Sequence, residues 1–296
     1  MKKVSYQTLS LIALTFFSSN LIASSLHSND LLYYPQELSD KISELETEGA
    51  QNTLTQQNLR EEIFQVLNGI HVFSNNEHDK IVSICPADQK CYEQKRDISY
   101  KEAREIMFGK LFLTKTSKGY EVKDMYCEKT ITEKNGVGPN KIPDPNLLNC
   151  EHTWPQSKFN PKMNTEMQKV DLHHLFPVDS KSNSVRSNHL FGELLNAKDA
   201  HSSCQVSKIG TINGTNIVGF TPPKTHRGNV ARAIFYFAVR YQMPIPNEQE
   251  IHLKKWHIED PIDQDERQRN NEIYQIQGNR NPFIDYPVLG THFEDL

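Results

Sequence analysis

The chain has 296 residues, a mean hydropathy of -0.64, 24% charged residues and a formal net charge of -4. That length accommodates one large domain or two smaller ones with a sizeable core, and the composition is that of a soluble protein rather than one embedded in a bilayer. The acidic balance argues against a uniformly nucleic-acid-binding surface, but residues 171–240 carry eight Lys and Arg against four Asp and Glu, which leaves room for a local basic face.

Met1-Lys2-Lys3 is followed by an apolar run containing Leu9, Leu11, Ile12, Leu14, Phe16 and Phe17, then by Ala23, Ser24 and Ser25. A basic start, a short apolar segment and a small-residue exit predict a secretory signal peptide over residues 1–24, cleaved near Ala23 or Ser24. Its removal takes Lys2 and Lys3 with it, so -4 becomes -6. No second apolar run is long enough to span a bilayer, so the mature protein is expected to be exported, periplasmic or extracellular, with no stable membrane association. Export makes the five cysteines candidates for disulfides. Pairing Cys127 with Cys150 would tie together the two strands at the site described below, Cys85 with Cys91 would close a small loop, and Cys204 would be left over. A zinc site has no Cys-x-x-Cys pair to support it.

Residues 25–98 form an N-terminal helical extension in this reading. Leu38, Ile42 and Leu45, then Ile63, Val66 and Leu67, fall on single helical faces, and residues 75–96 make a turn-rich loop. Ser99-Tyr-Lys-Glu102 has the form of a capping box and predicts a helix start. Gly119–Cys127 and Leu147–Trp154 read as two strands joined by a long Gly- and Pro-bearing loop, the second ending at Glu151-His152. Asp171–Pro177 reads as short and irregular, residues 182–195 as carrying a helix from near Asn183, and residues 210–223 as strand-like. Asn229–Tyr241 is the clearest buried helix, and a last helix is expected over Asp263–Ile276. With no internal repeat and no linker between two cores, one mostly helical α+β domain is favoured.

The chemistry concentrates in Asn149-Cys-Glu-His-Thr-Trp-Pro-Gln-Ser157, Asp171-Leu-His-His-Leu-Phe-Pro177 and Asn183-Ser-Val-Arg-Ser-Asn188. His152 titrates near neutral pH and suits a general base. A carboxylate and an amide oxygen make a sparse oxygen site that suits Mg²⁺. Arg186 has the planar fork that grips a phosphate. On a regular strand Glu151 and His152 would point to opposite faces, whereas a turn there would let both line one cleft. The set predicts a metal-dependent phosphodiesterase.

These motifs, with Phe191-Gly192, Phe220-Thr-Pro-Pro223, Arg227-Gly-Asn-Val-Ala-Arg232 and Gln277-Gly-Asn-Arg-Asn-Pro-Phe-Ile-Asp285, resemble the bacterial endonuclease I family. The resemblance runs over roughly residues 100–287 and places a catalytic domain at 99–287 with a tail at 288–296. It implies a ββα-metal (His-Me finger) core, His152 as general base, Glu151 and Asn183 as ligands of Mg²⁺ or another divalent cation, and nonspecific cleavage of DNA that leaves 5′-phosphate ends. RNA stays open as a second substrate. Family members with a longer insert after the Glu-His motif carry a phosphate-binding arginine there; residues 152–171 contain none here, so that role is given to Arg186. His173 and His174 stay open between a phosphate contact and a packed structural role, and Asp171 and Asn188 are expected to hold the loop. Arg227 and Arg232 stay open between substrate contact and salt bridges, and Arg280 is expected to lock Asp285. The competing readings are a nucleic-acid-binding or uptake protein on a degenerate core, and a zinc hydrolase such as a peptidase. Retention of both Glu151 and His152 argues against the first, and the lack of His-Glu-x-x-His against the second.

Overall fold

The computed structural model describes residues 30–48, 53–95 and 97–296, so the leader expected over residues 1–24 lies outside the described residues. The centre of the fold is the segment expected to be a buried helix. From Val230 to Arg240 every side chain is buried, as in a helix surrounded by other elements rather than resting on a surface.

In chain order, α1 (Gln36–Glu48) and α2 (Thr53–Asn68) bury Leu38, Ile42, Leu45, Ile63, Val66 and Leu67 in the same core as that helix. A small antiparallel sheet follows, β1 (Ile70–Val72), β2 (Lys80–Val82) and β3 (Cys91–Tyr92), with the Cys85–Cys91 disulfide beside it. Helix α3 (Tyr100–Ile106) starts as its capping box predicts: the Ser99 hydroxyl accepts the Glu102 N–H at 3.1 Å. Strands β4 (Leu113–Thr116), β5 (Gly119–Lys123) and β6 (Thr130–Thr132) make a meander. Gly119 turns between the first two at φ +112, where the Glu133 carboxylate would lie 2.6 Å from an added Cβ, so only glycine fits.

Strand β7 (Leu148–His152) pairs antiparallel with β8 (Leu175–Asp179), setting Glu151 opposite Phe176 and His152 opposite Leu175. The short helix α4 (Thr165–Val170) lies between them in sequence. Helix α5 (Ser180–Arg186) follows β8 at once, capped by the Asp179 carboxylate, which accepts the Ser182 N–H at 2.8 Å. A four-stranded sheet in the order β10-β11-β12-β9 is built from β9 (Leu190–Phe191), β10 (Leu194–His201), β11 (Cys204–Ile212) and β12 (Val218–Thr221). The central helix is α6 (Arg227–Arg240), followed by α7 (Asn247–Glu259), α8 (Gln264–Gln277), α9 (Pro282–Asp285) and α10 (Leu289–His292). The architecture is mixed α+β with small sheets, and among the described residues no helix is long and apolar enough to cross a membrane.

Two expectations are corrected. The strand ending at His152 pairs with Leu175–Asp179, which begins inside the Asp171–Pro177 segment expected to be irregular, while among the described residues β5 pairs with β4 and β6. The expected Cys127–Cys150 disulfide does not form: Cys127 bonds Cys204 on β11, and Cys150 is a free, buried thiol. Burial pushes the Cys150 thiol up to about 12, so it stays protonated and inert. The Cys85–Cys91 bond is as expected.

Candidate active site

Among the described residues β7 pairs with β8 alone, and a cleft of about 520 Å³ is lined by residues of β7. Four consecutive residues, Asn149 to His152, border this cleft, so Glu151 and His152 share it even though the strand is regular. Asn183 and Arg186 reach it from α5, and Gln156 and Asn188 from the flanking loops. The β7–β8–α5 succession thus brings together all four residues singled out for catalysis and metal binding.

His152 is buried and held through both ring nitrogens. Its Nε2 lies 3.0 Å from the Lys169 carbonyl oxygen, which only accepts, so Nε2 carries the proton and donates. Nδ1 is therefore the lone-pair nitrogen, and the Gln156 amide donates to it at 3.2 Å. Burial, with a smaller push from His174, pulls the imidazole down to about 3, so it is neutral at pH 7.

Glu151 is 3% exposed, and one oxygen does its structural work. Oε1 accepts from the Tyr126 hydroxyl at 2.8 Å and pairs with Arg186 Nη1 at 2.9 Å, whereas Oε2 has no partner among the described residues. Burial raises the carboxyl's pKa, and Arg186 and Tyr126 act against that rise. The Asn183 side chain makes no hydrogen bond among the described residues either. One carboxylate oxygen and one amide oxygen are therefore uncommitted at the same cleft, which is the donor set of a sparse hard-cation site. Two clusters of three His, Cys or Asp ligand atoms exist among the described residues, Cys127–His201–Cys204 and Asp124–Cys127–Asp179. Both depend on sulfurs consumed by the Cys127–Cys204 disulfide.

Arg186 differs from the free fork that its residue type promised. It is 2% exposed, with Nη1 donating to the His152 carbonyl at 3.1 Å and Nη2 to the Thr153 carbonyl at 2.6 Å. Its guanidinium lies 4.4 Å from the centre of the Phe191 ring, and only Nε lacks a partner. Both terminal nitrogens are thus spent on protein.

His173 and His174 do not border the cleft. Both are fully buried, bonding the Asn279 and Gln168 carbonyls at 3.2 and 2.8 Å. Asp171 is the hub of a buried lock, accepting from Tyr236, Tyr241 and Gln277. Arg232 is buried in a bidentate pair with Glu266, so the substrate contact left open for it is ruled out, and Arg280 grips Asp285 as expected. Tyr126 was missed; its only sequence signal is its place beside Cys127, whose disulfide anchors that segment to β11.

The comparisons agree with this geometry. A family model described as Endonuclease I matches residues 86–288, spanning every cleft residue. The chain belongs to the endonuclease I family. It is 32% identical over 158 residues to an extracellular ribonuclease of Bacillus subtilis (strain 168), covering 47% of this chain and 51% of that protein. It is 31% identical over 121 residues to a periplasmic deoxyribonuclease of Aeromonas hydrophila, covering 39% and 47%. An Endonuclease-1 of Buchnera aphidicola subsp. Acyrthosiphon pisum is 32% identical over 114 residues, covering 38% and 44%. This endonuclease I family chain spans about half the length of these curated relatives, and its cleft is the one place where the expected base and ligands meet.

Proposed function

We propose that the protein is an exported, divalent-metal-dependent endonuclease that hydrolyses phosphodiester bonds of DNA without sequence preference, uses Mg²⁺, and leaves 5′-phosphate ends. RNA is a second substrate in this reading, in keeping with the ribonuclease and deoxyribonuclease names among its relatives. The observation that carries it is the contact between His152 Nε2 and the Lys169 carbonyl, an oxygen that only accepts, which assigns the lone pair of this cleft-lining imidazole to Nδ1.

The β7–β8–α5 unit serves as a ββα-metal core. Glu151 Oε2 and Asn183 Oδ1 would hold the cation, which would supply polarisation of a phosphoryl oxygen and stabilisation of the leaving oxygen. His152 Nδ1 takes a proton from the attacking water. Burial keeps that nitrogen unprotonated, and the negative phosphate entering the cleft raises its proton affinity toward the working range. Arg186 acts as a positioning residue rather than the phosphate clamp expected from sequence: with Tyr126 it pins Glu151 Oε1, turning Oε2 toward the metal, and it fixes the strand end that carries His152.

The test is plasmid cleavage by the mature protein with Mg²⁺, with EDTA, and with His152→Ala. The expected result is cleavage that needs Mg²⁺ and falls about 10²- to 10⁴-fold in the variant. A folded His152→Ala protein with undiminished cleavage would overturn the mechanism, and DNA binding without cleavage by wild type would favour the degenerate binding module.

A further inference from the structure

Beside the cleft lies a second cavity of about 320 Å³, sharing Pro155, Arg186 and Asn188 with it. Its walls are mainly apolar, including Trp154, Phe159, Ile234 and Met243. Trp154 is backed on one face by Phe237, with ring centres 5.1 Å apart and planes 13° from parallel, so the indole is a rigid wall. One polar group in that wall is uncommitted. Gln249 is 5% exposed; its Oε1 accepts the Phe191 N–H at 2.8 Å, but its Nε2 makes no hydrogen bond among the described residues. A mainly buried glutamine at the wall of an apolar cavity, its amide nitrogen without a partner among the described residues, is the kind of polar group that sets a ligand's orientation in such a site. The exposed Lys158 and the partly exposed His189 border the same cavity, a cationic or polar margin suited to a polyanion.

We propose that this cavity receives one unpaired nucleobase of the polynucleotide whose backbone occupies the adjoining cleft. This rests on the nuclease reading and deepens it to a substrate preference. Thr153, Trp154 and Pro155 follow His152 directly and line the cavity, so the base it holds belongs to a nucleotide next to the scissile phosphate. The base packs on the apolar wall and accepts a hydrogen bond from Gln249 Nε2. In a duplex the base must first leave its stack and its pair, a penalty that single strands avoid. Cleavage is therefore faster in single strands, loops and frayed ends than in continuous duplex.

The experiment compares wild-type cleavage of an end-labelled single-stranded oligonucleotide, the same strand annealed to its complement, and the same strand with one abasic nucleotide. The expected result is cleavage of the single strand at least about tenfold faster than the duplex, and loss of about tenfold at the bond beside the abasic position alone. The variant Gln249→Glu keeps the acceptor for Phe191 and removes the donor, and should lower the single-strand to duplex ratio. Equal rates on both strand forms with no effect of the abasic position overturn the proposal. If no substrate is cut, the nuclease reading fails, and Trp fluorescence in EDTA decides the cavity separately. Saturable quenching by oligothymidylate but not by an abasic oligomer supports a base site. Equal responses, or quenching by an aliphatic detergent alone, overturn it.

Discussion

Acidification should unfold this protein through histidines remote from its chemistry. His173, His174 and His226 are buried, and burial pulls them down to about 3, 4 and 3. A histidine with a lowered folded pKa is neutral in the native state, while the unfolded chain takes up a proton below about 6.5. Its contribution is complete above that value and is lost progressively as pH falls toward the folded pKa. At about pH 5.5, one unit below, each such group costs about 1.4 kcal/mol, or about 4 kcal/mol for the three, against a typical total of about 5–15 kcal/mol. Asp124, Glu151 and Asp260 work in the opposite direction, because burial raises their pKa and the native state gains protons there. The clean readout is therefore a difference. Neither nitrogen of His226 has a hydrogen-bond partner, and its ring packs edge-on against Phe176 at 4.7 Å, so His226→Phe replaces it without orphaning a group. Urea unfolding in EDTA at about pH 7.5 and about pH 5.5 should show the variant losing about 1.4 kcal/mol less than wild type. Parallel losses in the two proteins would refute the argument that burial of a neutral ring sets this acid sensitivity.

Tyr126→Phe removes the hydroxyl that steadies Glu151, and should raise the Mg²⁺ concentration for half-maximal cleavage by about 10- to 100-fold with the fold intact by circular dichroism; an unchanged metal requirement would remove Tyr126 from the site. Arg186→Met leaves Glu151 buried beside no cation, so urea unfolding should show a loss of about 3–5 kcal/mol. Replacing Cys127 and Cys204 by Ala opens a loop with a sequence separation of 77, and replacing Cys85 and Cys91 opens one of 6. Chain entropy then predicts losses of about 4.5 against about 2.4 kcal/mol, and thermal melts that ranked the pairs in reverse would contradict it. Cleavage should slow with added salt, because phosphate contacts release counterions; a rate flat across ionic strength would count against backbone-driven binding.

What was legible in the sequence was what is local. The Ser99 cap, the buried α6 and the Glu151-His152 strand end are set by spacings of a few residues, and each was read correctly. Strand β8 escaped because it is buried along its whole length, from Leu175 to Asp179, and a strand covered on both faces has no alternation to read. Pro177 within it also spoke against a strand. The Cys127–Cys204 bond escaped because it joins segments 77 positions apart in sequence, whereas pairing Cys127 with Cys150 rested only on tying together the two strands at the site.

The motifs themselves mix two kinds of residue that composition cannot separate. Glu151 and Asn183 offer oxygens without a partner among the described residues and His152 an Nδ1 lone pair met by the Gln156 amide, whereas Asp171, the Nε2 atoms of His173 and His174, and the terminal nitrogens of Arg186 are spent on hydroxyls, carbonyls and a carboxylate. The same side chains serve both ends, because an active base or ligand must sit among buried polar groups whose own hydrogen bonds are already made. Arg186 is the clearest case: a guanidinium fork matches a phosphate and two backbone carbonyls equally well, and only the burial of the surrounding strand decides between them. Gln249 is the reverse case. Nothing around it in sequence marks it, yet folding spends its amide oxygen on the Phe191 N–H and leaves its amide nitrogen without a partner among the described residues at the wall of a cavity that adjoins the cleft, so substrate preference is the property of this molecule least accessible to motif reading.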